Sequence, residues 1–127
     1  MVIAVGSKTY ANYRHQADAC HAYQIVIKNG VHPDNVILLM EDDVADSSEN
    51  PYPGKLFNKP TAAGVPGVDV YAGCNVDYKG SAVTAKLFLD ILTGNSEAVN
   101  GKGSGKVLAS GPDDKVFVNC KLLVCTR

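Results

Sequence analysis

Val2-Ile3-Ala4-Val5-Gly6-Ser7, at the start of the 127-residue chain, decides how the rest is read. Four consecutive apolar residues, most of them β-branched, leave no polar face. Such a run is a parallel strand buried on both sides. Gly6-Ser7 ends it, and residues 8–11 form a loop. Asn12-Tyr13-Arg14-His15-Gln16-Ala17-Asp18-Ala19-Cys20-His21-Ala22-Tyr23 then opens a helix predicted from about Tyr13 to Lys28. Asn12 suits an N-cap, because its side-chain oxygen accepts from an N–H of the first turn. Ala17, Cys20, Tyr23 and Ile27 make one apolar face, widened by Ala19, Ala22 and Val26. Lys28 stands in the last turn and Asn29-Gly30 supplies the stop. After the turn His32-Pro33-Asp34, Val36-Ile37-Leu38-Leu39-Met40 is a second wholly apolar run. Strand, helix and strand in this order form a right-handed βαβ unit. It brings residues 7–15 and Glu41-Asp42-Asp43 to the carboxyl edge of the sheet, where open α/β sheets bind ligands.

Beyond the second strand the signals are sparser. Residues 46–73 contain Pro51, Pro53, Pro60 and Pro66, and no helix or central strand survives that spacing. A loop of this length in a compact domain is usually functional or covers something. Val68–Tyr71 is a candidate short extended piece. A second helix is predicted over Val83–Thr93, with Thr84 as cap, Leu87, Phe88, Ile91 and Leu92 as buried face, and Gly94 as stop. Residues 96–105 are polar and rich in glycine. Val116-Phe117-Val118 is a third strand, introduced by the turn Gly111-Pro112-Asp113-Asp114. Residues 119–127 show no cap, turn or clear period.

An apolar fraction of 46% and a charged fraction of 20% are ordinary for a globular domain. A formal net charge of -1 gives no electrostatic case for nucleic acid or an anionic membrane. No apolar run reaches membrane-spanning length. No secretion signal is recognisable, since Met1–Val5 is too short and lacks a basic start. Cys20, Cys74, Cys120 and Cys125 form no CxxC and no zinc-site spacing, so scattered reduced thiols are expected.

Four clusters invite chemistry. Gly101-Lys102-Gly103-Ser104-Gly105-Lys106 is one residue short of a phosphate loop, is followed by Val107 rather than Ser or Thr, and lies outside a strand–helix junction. A flexible loop is the expectation there. Asp42-Asp43 fits either a divalent cation or phosphoacceptor role or, more simply, a solvated turn or loop anchor. His15 and His21 are six residues apart and point to different sides of the helix, so each is expected to bond separately. Asn12, Arg14 and His15 sit at the helix N-terminus on the functional edge. From residue types alone they are either a ligand site, with Arg14 binding a carboxylate or an amide oxygen, or a capped helix end with Arg14 paired to Asp18.

The string Asn12–Tyr23 resembles the legumain (asparaginyl endopeptidase) family. Satellites follow in order: Met40–Asp43, Glu49-Asn50-Pro51-Tyr52-Pro53-Gly54, Val70–Gly73, Val76–Gly80, the helix at Val83–Gly94, Gly103–Leu108 and Ser110–Pro112. The transamidase subunit that attaches lipid anchors shares the general pattern, but His15–His21 favours legumain. The resemblance covers residues 2–118. It implies a caspase-like αβα fold with a mostly parallel sheet and a lysosomal, vacuolar or secreted thiol peptidase cleaving peptides and proteins after Asn. No cofactor or metal is implied. In that family a Cys attacks the scissile carbonyl, a His ending the third strand is the base, and backbone N–H groups form the oxyanion hole. Asn12 matches the position that orients this His. Arg14 matches the position that reads the substrate Asn side chain, with His15 beside it.

Departures from the pattern set the remaining expectations. Lys8-Thr9 replaces a usual Asn-Gly and Glu41 a usual Tyr. Where the family runs into Asp-His-Gly, Val116–Val118 is followed by Asn119-Cys120-Lys121-Leu122-Leu123-Val124, with Leu123 at the His position. No Glu-Ala-Cys occurs, and neither Cys120 nor Cys125 has a nucleophile's context. The expected domain is thus 1–118, the N-terminal part of such a peptidase domain, with a 119–127 tail foreign to the pattern and without its catalytic pair. A non-enzymatic fragment that associates with a full-length homologue is the alternative. Marginal folding is also expected, with the apolar faces of Val36–Met40 and Val116–Val118 partly uncovered.

Overall fold

The computed structural model describes residues 1–121. Its centre is a four-stranded, all-parallel sheet of order β3-β2-β1-β4. Strand β1 (Val2–Val5) lies between β2 (Ile37–Met40) and β4 (Val118–Lys121), and β3 (Tyr78–Lys79) flanks β2. Successive strand side chains point to opposite faces, so each apolar run feeds two cores. Ile3, Val5, Leu38 and Met40 pack with Ala17, Cys20 and Tyr23 of helix α1 (Tyr13–Lys28). Val2, Ala4, Ile37 and Leu39 pack with Leu87 and Ile91 of helix α2 (Ala85–Leu92) and Val99 of helix α3 (Ser96–Val99). Helices on both faces of a parallel sheet make a caspase-like αβα sandwich, as the resemblance implies.

The first βαβ unit has the predicted form, with α1 spanning Tyr13–Lys28. Asn12 is not its side-chain cap. The chain enters α1 through a tight turn at Tyr10–Asn12, where the Tyr13 N–H already bonds the Tyr10 carbonyl. The Asn12 amide is turned outward instead and donates to the Lys8 carbonyl at 2.8 Å. Thr84 does cap α2, accepting from the Leu87 N–H at 3.1 Å. That helix starts two residues later than its apolar pattern, because Val83 and Thr84 are extended after a turn at Gly80–Ala82.

Several expectations are corrected. Val36–Met40 is not partly uncovered: β2 is internal, and its residues are at most 4% exposed. The neighbour that closes it is β3, two residues long, whose Tyr78 is fully buried and donates to the Lys106 carbonyl at 2.6 Å. Val116 and Phe117 do remain exposed, but ahead of the strand, since β4 begins at Val118 and runs on through Asn119 and Cys120 to Lys121. The extended piece at Val68–Tyr71 reduces to a single antiparallel bridge between Phe57 and Asp69 and a Val70–Leu56 backbone bond. The segment Gly101–Lys106 is an anchored loop rather than a free one. Gly103, at φ +47°, lies so close to the Asp77 carbonyl that a Cβ would stand 2.0 Å from its oxygen. Only glycine satisfies both the left-handed backbone and that approach.

The expectation of reduced thiols fails at two positions. Cys20 and Cys74 are joined in a disulfide. Their Cα atoms lie 5.4 Å apart because the end of the long loop lies against α1. Cys120 is an exposed thiol on β4. Desolvation pushes its pKa up, the opposite of what activates a nucleophile. Leu123 and Cys125, on which further expectations rest, lie outside the described residues.

Candidate functional site

Asn12, Arg14 and His15 come together at the carboxyl edge because β1 ends at Val5 and only a short loop separates it from α1. Buried Ser7 holds His15, with Oγ 2.8 Å from Nδ1. That contact fixes the ring by one nitrogen and leaves Nε2 as the other. Asn12 is partly buried and bonded to Lys8. Arg14 extends from the first turn of α1 with its side chain 83% exposed.

The acidic pair after β2 anchors the loops of this edge. Asp43 accepts from the Thr9 N–H at 2.7 Å and from Gln16 Nε2 at 2.6 Å. Buried Gln16 also receives the Val44 N–H, so the helix start, the β1 loop and the β2 end form one unit. Thr9, at φ 73°, and Asp42, at φ 61°, both adopt the left-handed backbone. Asp42 accepts from the Tyr71 hydroxyl at 2.9 Å and lies 3.4 Å from Lys79 Nζ. Burial, and then the Asp42 carboxylate, push the Tyr71 phenol up to about 12. Of the two readings of Asp42-Asp43, the loop anchor is the one these contacts describe. Among the described residues no three His, Cys, Asp or Glu side chains gather as a metal site would require.

A second array runs along α1. Asp18 Oδ1 accepts from Asn58 Nδ2 at 2.6 Å, and Asp18 Oδ2 lies 3.0 Å from Lys121 Nζ. Arg14 Nε reaches no closer than 3.7 Å to the same oxygen. Partial burial works against the Asp18 charge, but the Asn58 and Lys121 contacts outweigh it and hold the carboxyl below its ordinary pKa. Asn58 also meets His21, Oδ1 to Nδ1 at 2.9 Å. His15 and His21 thus bond separately, as their spacing predicts. The segment carrying Asn58 is tied to α1 again by Phe57 N–H to the Tyr13 hydroxyl, by Gln24 to the Ala72 carbonyl, and by the disulfide. Sequence reading placed Ser7 on this edge and Asp18 beside Arg14, but missed the Ser7–His15 bond, Gln16 and Asn58. Ser7 had a signal, since it falls on the functional edge with His15, whereas Asn58 lies in a segment without periodicity.

A cleft of about 640 Å³ lies beside Met1, Val31, Leu108 and Phe117 and includes none of Asn12, Arg14 or His15. The candidate site is instead an open edge presenting a guanidinium. With the imidazole beside it in sequence, this edge offers hydrogen-bond donors to a carboxamide or carboxylate.

The parallel αβα sandwich, with an arginine and a pinned histidine at its carboxyl edge, is an α/β domain of caspase-like architecture, and residues 1–121 match the Peptidase C13 family. The chain belongs to that family. It is 54% identical to legumain of Mus musculus and 52% identical to legumain of Homo sapiens, in each case over 118 residues, 93% of this chain and 26% of the relative. It is 53% identical to the vacuolar-processing enzyme beta-isozyme of Arabidopsis thaliana over 117 residues, 92% of this chain and 23% of that one. The chain therefore spans about a quarter of the length of these curated relatives.

Proposed function

We propose that this chain carries the substrate-reading half of an asparaginyl cysteine peptidase site. Arg14 donates to the side-chain carboxamide oxygen of a substrate Asn, His15 borders the same pocket, and Asn12 orients the catalytic imidazole. The observation that supports this reading most is Arg14 itself: a guanidinium at the sheet's carboxyl edge, 83% exposed although a carboxylate stands one helical turn away. The 127 residues hold neither an Asp-His-Gly nor a Glu-Ala-Cys, so the polypeptide by itself binds an Asn-containing peptide without cleaving it. Incubating the purified chain with a fluorogenic peptide of one internal Asn tests this. No turnover above buffer is expected, and Asn-specific cleavage blocked by a thiol reagent would overturn the inactive reading. The relatives named vacuolar-processing enzyme support vacuolar residence, and a disulfide suits an oxidising compartment on the way there.

A second reading rests on β4. Among the described residues it has a strand partner on one side only, and Val116, Phe117 and Val118 are 43%, 62% and 41% exposed. Such an edge suits association with a full-length homologue. Co-purification of the two chains is expected on this reading. A monodisperse monomer in the presence of the homologue would contradict it.

A further inference from the structure

The Arg14–Asp18 pair has the spacing of a helical ion pair yet closes only loosely, without a hydrogen bond. Residues four apart on a helix are neighbours, and a guanidinium beside a carboxylate ordinarily forms a short, often forked, pair. Here the nearest approach is 3.7 Å, and the reason lies in who already holds Asp18. Oδ1 is taken by Asn58 Nδ2 at 2.6 Å and Oδ2 by Lys121 Nζ at 3.0 Å. Asn58 is fixed from its other end by His21. Its segment is bolted to the same helix by the Cys20–Cys74 bridge, two residues beyond Asp18.

From this geometry we infer that Asn58 is a positioning residue for Arg14. By occupying Asp18 Oδ1, it keeps the guanidinium out of a short hydrogen-bonded pair and open to a substrate side chain. Without Asn58, Asp18 Oδ1 is free, Arg14 closes onto that oxygen while Lys121 keeps Oδ2, and the edge loses its donor. The purpose assigned to Arg14 rests on the peptidase reading above, but its position is an observable of the unliganded chain.

The chain contains two arginines, Arg14 and Arg127. In an Arg127→Lys background, the Arg Nε–Hε signal in a nitrogen-15 NMR spectrum therefore reports Arg14 alone. Asn58→Ala is expected to move this signal downfield and slow its hydrogen exchange, while backbone amide signals of β1 and β2 stay in place. Asn58→Gln, which restores an amide donor, is expected to return it toward the unsubstituted position. Should Asn58→Ala fail to fold, Asn58→Leu keeps the bulk without the amide donor, and the same downfield movement is expected. An Arg14 signal unmoved in a folded Asn58→Ala or Asn58→Leu chain would overturn the inference. Because no peptide is present, that result would leave the peptide-binding reading to its own test.

Discussion

Lys106→Met is expected to destabilise the domain by about 3–5 kcal/mol, the cost of leaving a buried charge without its partner. Asp77 is that charge. Its side chain is 1% exposed, one oxygen accepts from the Leu38 N–H of β2 at 3.0 Å, and the other has no well-formed hydrogen bond. Lys106 Nζ, 3.1 Å from that second oxygen, is a charge contact rather than an aligned donor, and its hydrogens also serve the carbonyls of Pro33 and Val36. The lysine thus ties three segments: the residues before β3, the entry to β2 and the loop after α3. A loss of this size is a large share of the total stability of a small domain. Urea unfolding checks it. The double variant Asp77→Asn with Lys106→Met should recover much of the loss, because no charge is then stranded. Equal stabilities for Lys106→Met and the parent chain would show that water or another group already serves Asp77.

Reducing the Cys20–Cys74 bridge, or replacing Cys74 by Ser, is expected to cost up to about 4 kcal/mol. The bond closes a 54-residue span of chain. The loop-closure argument assigns about 3 kcal/mol to a short loop and nearly 5 to one of a hundred residues. Much of the span has little regular structure of its own, so the unfolded state gains the freedom that the bridge withholds. Thermal melts with and without reductant check this in a Cys120→Ser background, which removes the exposed thiol on β4. A melt unmoved by reduction, with both thiols shown free by alkylation, would mean that the surface hydrogen bonds of Tyr13, Asp18, His21 and Gln24 hold the segment unaided.

Helices α1 and α2 and the first two strands are legible in the sequence because burial wrote them twice. Val2–Val5 and Ile37–Met40 are apolar on both faces since helices cover both. The α1 boundaries are marked by the turn before Tyr13 and by Asn29-Gly30. What escaped was carried by contacts rather than by patterns. Two residues cannot show a period, so β3 is invisible until Tyr78 is seen under Lys106. Helix α3, in a stretch read only as polar and rich in glycine, is a single turn capped by Asn95. Cysteines 54 positions apart carry no spacing rule, and only the path of the loop across α1 brings them together. The same holds at the site. Arg14 and His15 were legible by their place at a helix start on the functional edge. The contacts that hold the edge in shape, Ser7 on His15 and Asn58 on Asp18, follow from the fold and are written in no pattern. Asn12 was found at the predicted place, but with its amide on Lys8 rather than on the helix.

The central claim is that Arg14 reads an Asn side chain. Its most direct test is the affinity of the purified chain for a short peptide with one Asn, compared with the same peptide carrying Ala, each measured by calorimetry or NMR titration. The account predicts binding of the Asn peptide, a loss for the Ala peptide, and at least about a tenfold loss with Arg14→Ala, the order of one hydrogen bond to a charged group. Equal binding of the two peptides, or an Arg14→Ala chain that binds the Asn peptide as well as its parent, would contradict it.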